Sequence, residues 1–541
     1  MFKKPQIIRS FYTLILSMAF AVAIFAQDSE RTVIIVGGKT PPKPPVTSIA
    51  PASTDAVRGY VTTRVNSILS NPMLKRGRFG VRIDLLDSRT NIYSRDADHY
   101  FMPASNMKSY SVAAAMDALS PEYRIKTSVY STQKPDSNGT VRGSLIIYGR
   151  GDPSISTSFY PNDYYRGLDM LVDKIAAAGV KKIEGALIGD ETYFNSEPVP
   201  MGWEWDDLQW YYGAEVSPLS INDNAVDVNI SASTEGTPCN ISILPANRLY
   251  SIINRCRTTA TGTPRKVSIN KHLGENVLEV GGVMPQGDAG KTWQVTITRP
   301  GNLFVELLKQ RLMQRGISVA GPARSYNTYD RNGVRLDPTN LYEVARLESP
   351  PLKELAAHTM KPSQNLYAEL LLRVVGEEKG DKNDKEKSSL QKGIDVVNAL
   401  LQKAGATAEN TVQYDGSGLS RHNLVTPDSN VLLYEYMDRS PYSVAWRDSL
   451  TIAGIDGTLK NRLLGTAAEN NARGKTGTID QVSALTGYVT AKSGERFVFS
   501  LLANNLPDGR LRVSIIDQIV QALADYDKNA GVSMPVNPNQ R

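Results

Sequence analysis

Cysteine and histidine are scarce in this chain: two of the first and four of the second among 541 residues. They show no ligand spacing such as C-x-x-C or H-x-x-x-H, which argues against a metal site, and no other pattern calls for a cofactor. After residue 26 no segment is apolar enough to cross a bilayer. An excess of one charge is also lacking. The formal net charge is +6, and it falls to +3 without Lys3, Lys4 and Arg9. With no basic stripe interleaved with aromatics, nucleic-acid binding finds no support. Long polar runs are few. A chain with 41% apolar and 21% charged residues reads as globular, and this one is long enough for more than one domain.

The N-terminus is a separate object. Lys3, Lys4 and Arg9 precede an uncharged, mostly apolar stretch, Phe11 to Ala26, which ends in small residues at Ala21, Ala23 and Ala26. This is the pattern of a secretory signal peptide over residues 1–26, with an uncleaved anchor as the alternative. The mature chain is therefore expected outside the cytoplasm, periplasmic or extracytoplasmic, and at most peripheral to a membrane. In an oxidising compartment the even pair Cys239 and Cys256 suggests one disulfide; two buried free thiols are the other reading. Residues 27–55, proline-rich from 40 to 53, read as a linker.

Beyond the linker the pattern is mixed. A helical run extends from Tyr60 to Leu69. Alternation from Phe79 to Leu86, turn residues at 87–91 and a resumed strand at Ile92–Ser94 suggest a hairpin. Ala104 to Leu119 is rich in alanine and methionine and reads as a buried helix. From about 123 to 340, short strand patterns alternate with Gly, Pro, Asn and Asp. Helical patterns return over Leu352 to Val375, and 377–388 reads as a solvated loop. Three strands (474–479, 482–490, 496–503) and a helix from Arg510 to Tyr526 close the chain. The expected fold class is α+β: a body formed by 56–122 and 341–541, interrupted by a β-rich insert over 123–340 that divides into two nested domains.

Three motifs carry chemistry: Ser105-Asn106-Met107-Lys108, Ser363-Gln364-Asn365 and Lys475-Thr476-Gly477. Together they describe nucleophilic catalysis without histidine. A serine hydroxyl needs a nearby base, and residues three apart on a helix share a face, so Lys108 can serve Ser105. A lysine acts as base only when burial or a second cation lowers its pKa, and Lys475 is a candidate for that cation. Asn365 is positioned to hold Lys108 and a substrate amide, and Ser363 to pass a proton to the leaving nitrogen. S-x-x-K occurs also at Ser131, Ser268 and Ser389, but only Ser105 has a proline two residues before and a strong apolar helix after. Lys475-Thr476-Gly477 occurs once, at the start of a strand.

In this order and context the motifs resemble those of the low-molecular-mass penicillin-binding proteins of the D-alanyl-D-alanine carboxypeptidase and endopeptidase group, with a large insert between the first two motifs. Longer stretches carry the likeness further: Gly149 to Pro153, Gly189 to Phe194, Gly202 to Asp207, Asp415 to Arg421 and Gly454 to Leu459. The resemblance implies a β-lactamase/transpeptidase-like serine acyltransferase body. It implies Ser105 as nucleophile, Lys108 as base, and Ser363, Asn365 and Lys475 as the proton-transfer network. It also implies Thr476, Gly477, Thr478 and Arg421 as substrate contacts, with the backbone N–H groups of Ser105 and Thr478 as oxyanion hole. It points to Glu191–Asn195 for reading the diamino acid of the stem peptide. The implied partners are peptidoglycan stem peptides, with β-lactam antibiotics as inhibitors. No glutamate is placed as a β-lactamase-type deacylating base. The rival functions are a β-lactamase or esterase of the same design and a non-catalytic wall-binding protein.

Overall fold

The structure, a computed structural model, describes residues 53–529. The expected signal peptide and the linker up to residue 52 lie outside the described residues. The linker reading runs two residues too far. Helix Thr54–Leu69 begins where Ser53 caps the Ala56 N–H, and it buries a Val57, Val61, Val65, Leu69 stripe.

The body is built on a six-stranded antiparallel sheet. In spatial order its strands are Thr90–Arg95, Arg78–Leu85, Arg496–Asn504, Val482–Thr490, Arg473–Ile479 and Thr451–Ile452. The early hairpin thus joins the closing meander through the pairing of Arg78–Leu85 with Arg496–Asn504. Both faces are covered, so alternate residues of one strand feed two cores. Phe497, Phe499 and Leu501 pack with helices Thr54–Leu69 and Gly509–Ala524, while Val498 and Leu502 pack with the central helices. Those central helices are Lys108–Leu119, Asn365–Lys379 and Pro427–Arg439.

The insert is less β-rich than its sequence texture suggests. Its outer sheet runs Ala323–Tyr326, Leu187–Asp190, Leu145–Tyr148, Lys126–Ser131, Tyr342–Glu348. Strand Tyr342–Glu348 lies past residue 340 yet pairs with Lys126–Ser131, so the chain leaves this sheet near residue 348. Two helices, Arg166–Ala177 and Pro300–Gln314, pack in the insert; the first bridges the parallel strands Leu145–Tyr148 and Leu187–Asp190. Their stripes, Leu168/Leu171/Val172/Ile175 and Leu303/Phe304/Leu307/Leu308, were present in the sequence but obscured by the surrounding Gly, Pro and Asn. Between residues 225 and 296 lie a three-stranded and a four-stranded sheet.

The polar tract also differs from a simple loop. Residues 377–379 complete helix Asn365–Lys379, and Glu377 is buried against Arg335 and Ser389. Only the remainder is surface chain. The helical stretch from Leu352 breaks into Leu352–Met360 and Asn365–Lys379, separated by the segment that carries Ser363.

Cys239 and Cys256 are joined by a disulfide in the insert, with a sequence separation of 17. Closing a loop of that length contributes about 3 kcal/mol in the loop-entropy model. Reduction is therefore expected to lower thermal stability while leaving Ser105 reactive at moderate temperature. Intact mass with and without reductant before alkylation, paired with melting curves, checks this. Two freely alkylated cysteines in native protein would contradict it.

Candidate active site

Ser105 sits on a tighter turn than expected. Ala104–Met107 is a 3-10 turn and the α-helix proper starts at Lys108. With three residues per turn, positions i and i+3 eclipse, which brings Lys108 Nζ to 2.8 Å from Ser105 Oγ. Ala104, immediately before the serine, has a left-handed φ of 46°, a conformation that costs a non-glycine residue about 1 kcal/mol or more. Ser363 is likewise left-handed, at 68°. Two of the three motifs thus sit on backbone that the surrounding packing must hold in place.

Lys108 is fully buried. Its Nζ donates to Asn365 Oδ1 at 2.6 Å and to the Ser417 carbonyl at 2.7 Å. Both are acceptors only, and a neutral amine has two protons and one lone pair. Once the two acceptors take both protons, the lone pair is left for the Ser105 hydroxyl. Burial pushes the Lys108 ammonium down to about 7, against the opposing pull of the Asp415 and Glu369 carboxylates. Lys475, also buried, donates to Ser363 Oγ at 2.9 Å and to the Thr476 carbonyl at 3.0 Å. Burial first, and the Lys108 charge second, hold Lys475 well below the usual lysine range. Burial therefore does most of the work expected of the second cation, and the mutual repulsion falls on Lys475.

Several supporting groups were not singled out from the sequence. Asn106 Nδ2 donates to the Lys475 carbonyl and Asn106 Oδ1 accepts from Thr486, so the first motif is tied to the strand of the third. Glu369, buried and paired with Arg373, accepts the N–H groups of Gly416 and Ser417 at 2.8 Å each, which aims the Ser417 carbonyl at Lys108. Asp415 gathers the Gly418 and Ser420 N–H groups, the Asn423 amide and the indole N–H of Trp203. Thr458 Oγ1 lies 2.6 Å from Thr476 Oγ1. Ser417, Asp415 and Thr458 fall inside stretches the sequence did flag, and Asn106 inside the first motif itself. Glu369 carries no such signal.

A cavity of about 310 Å3 lies on the insert side, and a larger one of about 650 Å3 opens over Ser105. Ser363, Asn365, Thr476, Thr478 and Arg421 line the larger cleft with Ser105, while Lys108 and Lys475 lie beneath. Gly477 is a correction. It is buried and lines no part of the cleft; a Cβ there would fall 2.4 Å from the Pro103 carbonyl, so it lets the strand approach the nucleophile turn. Gly418, with φ of +83°, makes the same kind of approach to the Ala104 carbonyl.

The insert supplies the facing wall. Its loop carries Glu204, Asp206, Asp207, Tyr211 and Tyr212 into the cleft, and the Tyr212 carbonyl accepts from Asn365 Nδ2 at 2.8 Å. Arg421 Nε donates to Glu204 at 3.0 Å, and Arg421 Nη1 to the Asp480 carbonyl. Glu191–Asn195, expected to read the substrate, does not line the cleft. Glu191 is bonded to Ser217, Tyr193 to Glu378 and Asn195 to Ser389, all of them packing contacts. The other S-x-x-K serines are equally occupied or remote: Ser131 bonds the Gln133 carbonyl, Ser389 bonds Glu377, and Ser268 lies in strand Lys266–Lys271.

Comparison with known proteins identifies the family. The chain is 32% identical over 491 residues to the D-alanyl-D-alanine carboxypeptidase of Actinomadura sp. (strain R39), covering 88% of this chain and 87% of that one. It is 27% identical over 417 residues to a D-alanyl-D-alanine carboxypeptidase of Haemophilus influenzae, covering 76% and 82%. The crystal structure of penicillin binding protein 4 from Haemophilus influenzae has the same fold, with a TM-score of 0.71 at 24% identity over 85% of this chain and 98% of that one. A complex of that protein with a β-lactam superposes with a TM-score of 0.66 at 22% identity, over 85% and 99%. Because the sequence profile of that family also matches residues 61–526, the whole span that holds both motif-bearing body and insert, the chain belongs to the D-Ala-D-Ala carboxypeptidase 3 (S13) family.

Proposed function

We propose that this chain hydrolyses the D-Ala–D-Ala bond of peptidoglycan stem peptides through an acyl-enzyme on Ser105, and that β-lactams trap that enzyme. The observation that carries the reading is the contact of the buried Lys108 Nζ with Ser105 Oγ at 2.8 Å, its two other partners, Asn365 Oδ1 and the Ser417 carbonyl, being acceptors only. Ser105 Oγ attacks the carbonyl carbon of the penultimate D-alanine as its proton passes to Lys108. The N–H groups of Ser105 and Thr478 hold the resulting oxyanion. The C–N bond then breaks, and the leaving D-alanine amine takes its proton by way of Ser363 and Lys475. Water repeats the sequence to release the shortened peptide.

The substrate's terminal carboxylate meets Thr476 and Thr478, and Arg421 faces the charged part of the stem. Cross-linked stems present the same acyl group with a different leaving amine, so endopeptidase action uses the same residues. The substrate lies outside the cytoplasmic membrane, where the signal expected over residues 1–26 would deliver the protein. Among the described residues no helix is long and apolar enough to cross a membrane.

Lys108 must be unprotonated to act, so acylation by a β-lactam is expected to rise with pH through about 7 and level off above it. Stopped-flow acylation rates across the range test this; a rate independent of pH between about 5 and 9 would rule Lys108 out as the titrating base. Removing the open hydroxyl with Thr478→Val is expected to lower kcat/KM on a pentapeptide about 10- to 100-fold, the value of a hydrogen bond to a charged group. Unchanged pentapeptide hydrolysis would place the carboxylate elsewhere.

Ser105 Oγ is bonded to Lys108 and to no carboxylate among the described residues. After β-lactam opening, the tethered nitrogen keeps blocking the water path. One stable penicilloyl group per chain is therefore expected, on the peptide containing Ser105. Ser105→Ala is expected to abolish it and Lys108→Ala to slow its formation severely. Peptide mapping decides: a label on Ser131, Ser268 or Ser389 would overturn the assignment, and rapid turnover without an adduct would favour the β-lactamase reading.

A further inference from the structure

The loop that walls the catalytic cleft has a second face. Asp206 lines the cleft and also the separate pocket of about 310 Å3, so one thin wall divides two cavities. The far side of the second pocket is the turn Lys271–Gly274 that joins strands Lys266–Lys271 and Val277–Pro285 of the insert. At its rim Trp205 is 74% exposed, an unusual position for so large a ring. Among the described residues no ring or cation stacks on Trp205, and its indole N–H has no partner. The Asp206 carboxylate and the Asn270 amide make no hydrogen bond or ion pair either. A flat apolar face, an unpaired carboxylate and an unpaired amide therefore converge beside the cleft. They match the apolar C–H face, the hydroxyls and the acetamido groups of a pyranose sugar.

We propose that this pocket is a subsite for the glycan of the substrate, holding a neutral N-acetylated aminosugar while the attached stem peptide lies in the cleft. The inference rests on the reading of the cleft as a peptide site and extends it to the strand the peptide is attached to. Charge favours sugar over a second stem peptide. The acids that line the pocket are Asp206 and Glu215, and its Lys271 amine is engaged by Thr298 at 2.8 Å; Glu204 and Asp207 face the cleft, Glu204 paired there with Arg421. Such a rim repels the carboxylates of a second stem and leaves a neutral sugar unaffected.

The test compares kcat/KM for a disaccharide-pentapeptide and for the same pentapeptide without sugar, using the full chain and its Trp205→Ala and Asn270→Ala variants. The expected result is a preference for the sugar-bearing substrate of about tenfold, the scale of one aromatic stacking contact with its hydrogen bonds, expressed in KM. Either substitution is expected to bring that ratio towards one. Calorimetric titration with a β-1,4-linked N-acetylglucosamine tetramer gives a readout independent of catalysis: binding by the wild type, and loss in Trp205→Ala. No sugar preference, or one that survives both substitutions, would overturn the proposal. So would an effect confined to cross-linked peptide dimers, which would assign the pocket to a second stem. Failure to cleave either substrate would sink the peptide-cleft reading instead, and the tetramer titration would still decide the subsite.

Discussion

The proposed chemistry depends on one buried amine that has been given two fixed carbonyl acceptors and one hydroxyl. Taking Lys108 out of water makes its charged form expensive, and Asn365 Oδ1 and the Ser417 carbonyl then direct its protons away from the serine. Neither acceptor is free to move. Asn365 is also bound to the Tyr212 carbonyl, and Ser417 is held by Glu369, itself locked to Arg373 inside helix Asn365–Lys379. A base made by burial works only if every neighbour is satisfied, because an unpaired group at this depth costs about 1–3 kcal/mol. The loop 415–421, with its Asp415 hub, is best understood as the part that meets this condition.

The same constraint explains why the insert is not an appendage. Its loop reaches over the body through the buried contact of Trp203 with Asp415 and the Tyr212 carbonyl on Asn365. The wall of the cleft and the hold on Lys108 are therefore mechanically one unit. A D-Ala-D-Ala carboxypeptidase reaction needs a donor peptide oriented against its nucleophile; in the mechanism proposed above the body supplies Ser105 and Lys108 and the insert the facing surface.

The strained backbone at Ala104 and Ser363 belongs to the same logic. Both serines stand just outside regular helix on left-handed or 3-10 geometry, which turns their hydroxyls into the cleft while their lysines remain beneath it. Gly477 and Gly418 permit the close approaches that keep these turns in place. Replacing backbone contact with side-chain volume at either glycine would push the turn that carries Ser105 away from the strand that carries Lys475.

Much of this was legible in the chain itself. Ser105 with Lys108, and Lys475 at the mouth of a strand, follow from local spacing and from the apolar patterns around them, because periodicity and turn chemistry act over a few residues. The antiparallel body sheet followed from its hairpin and meander for the same reason. The helices Arg166–Ala177 and Pro300–Gln314 had their apolar stripes in plain view, yet the abundant Gly and Pro around them suggested strand instead. What the sequence could not settle was partnership across distance. Glu369 reads as one more helix-surface glutamate until Arg373 and the 415–421 loop enclose it, and Glu191–Asn195 reads as a site until packing consumes its polar groups. Local sequence determined which residues are chemically able to act. Only the tertiary structure decided which of them are buried against one another, since desolvation and acceptor geometry arise from segments hundreds of residues apart.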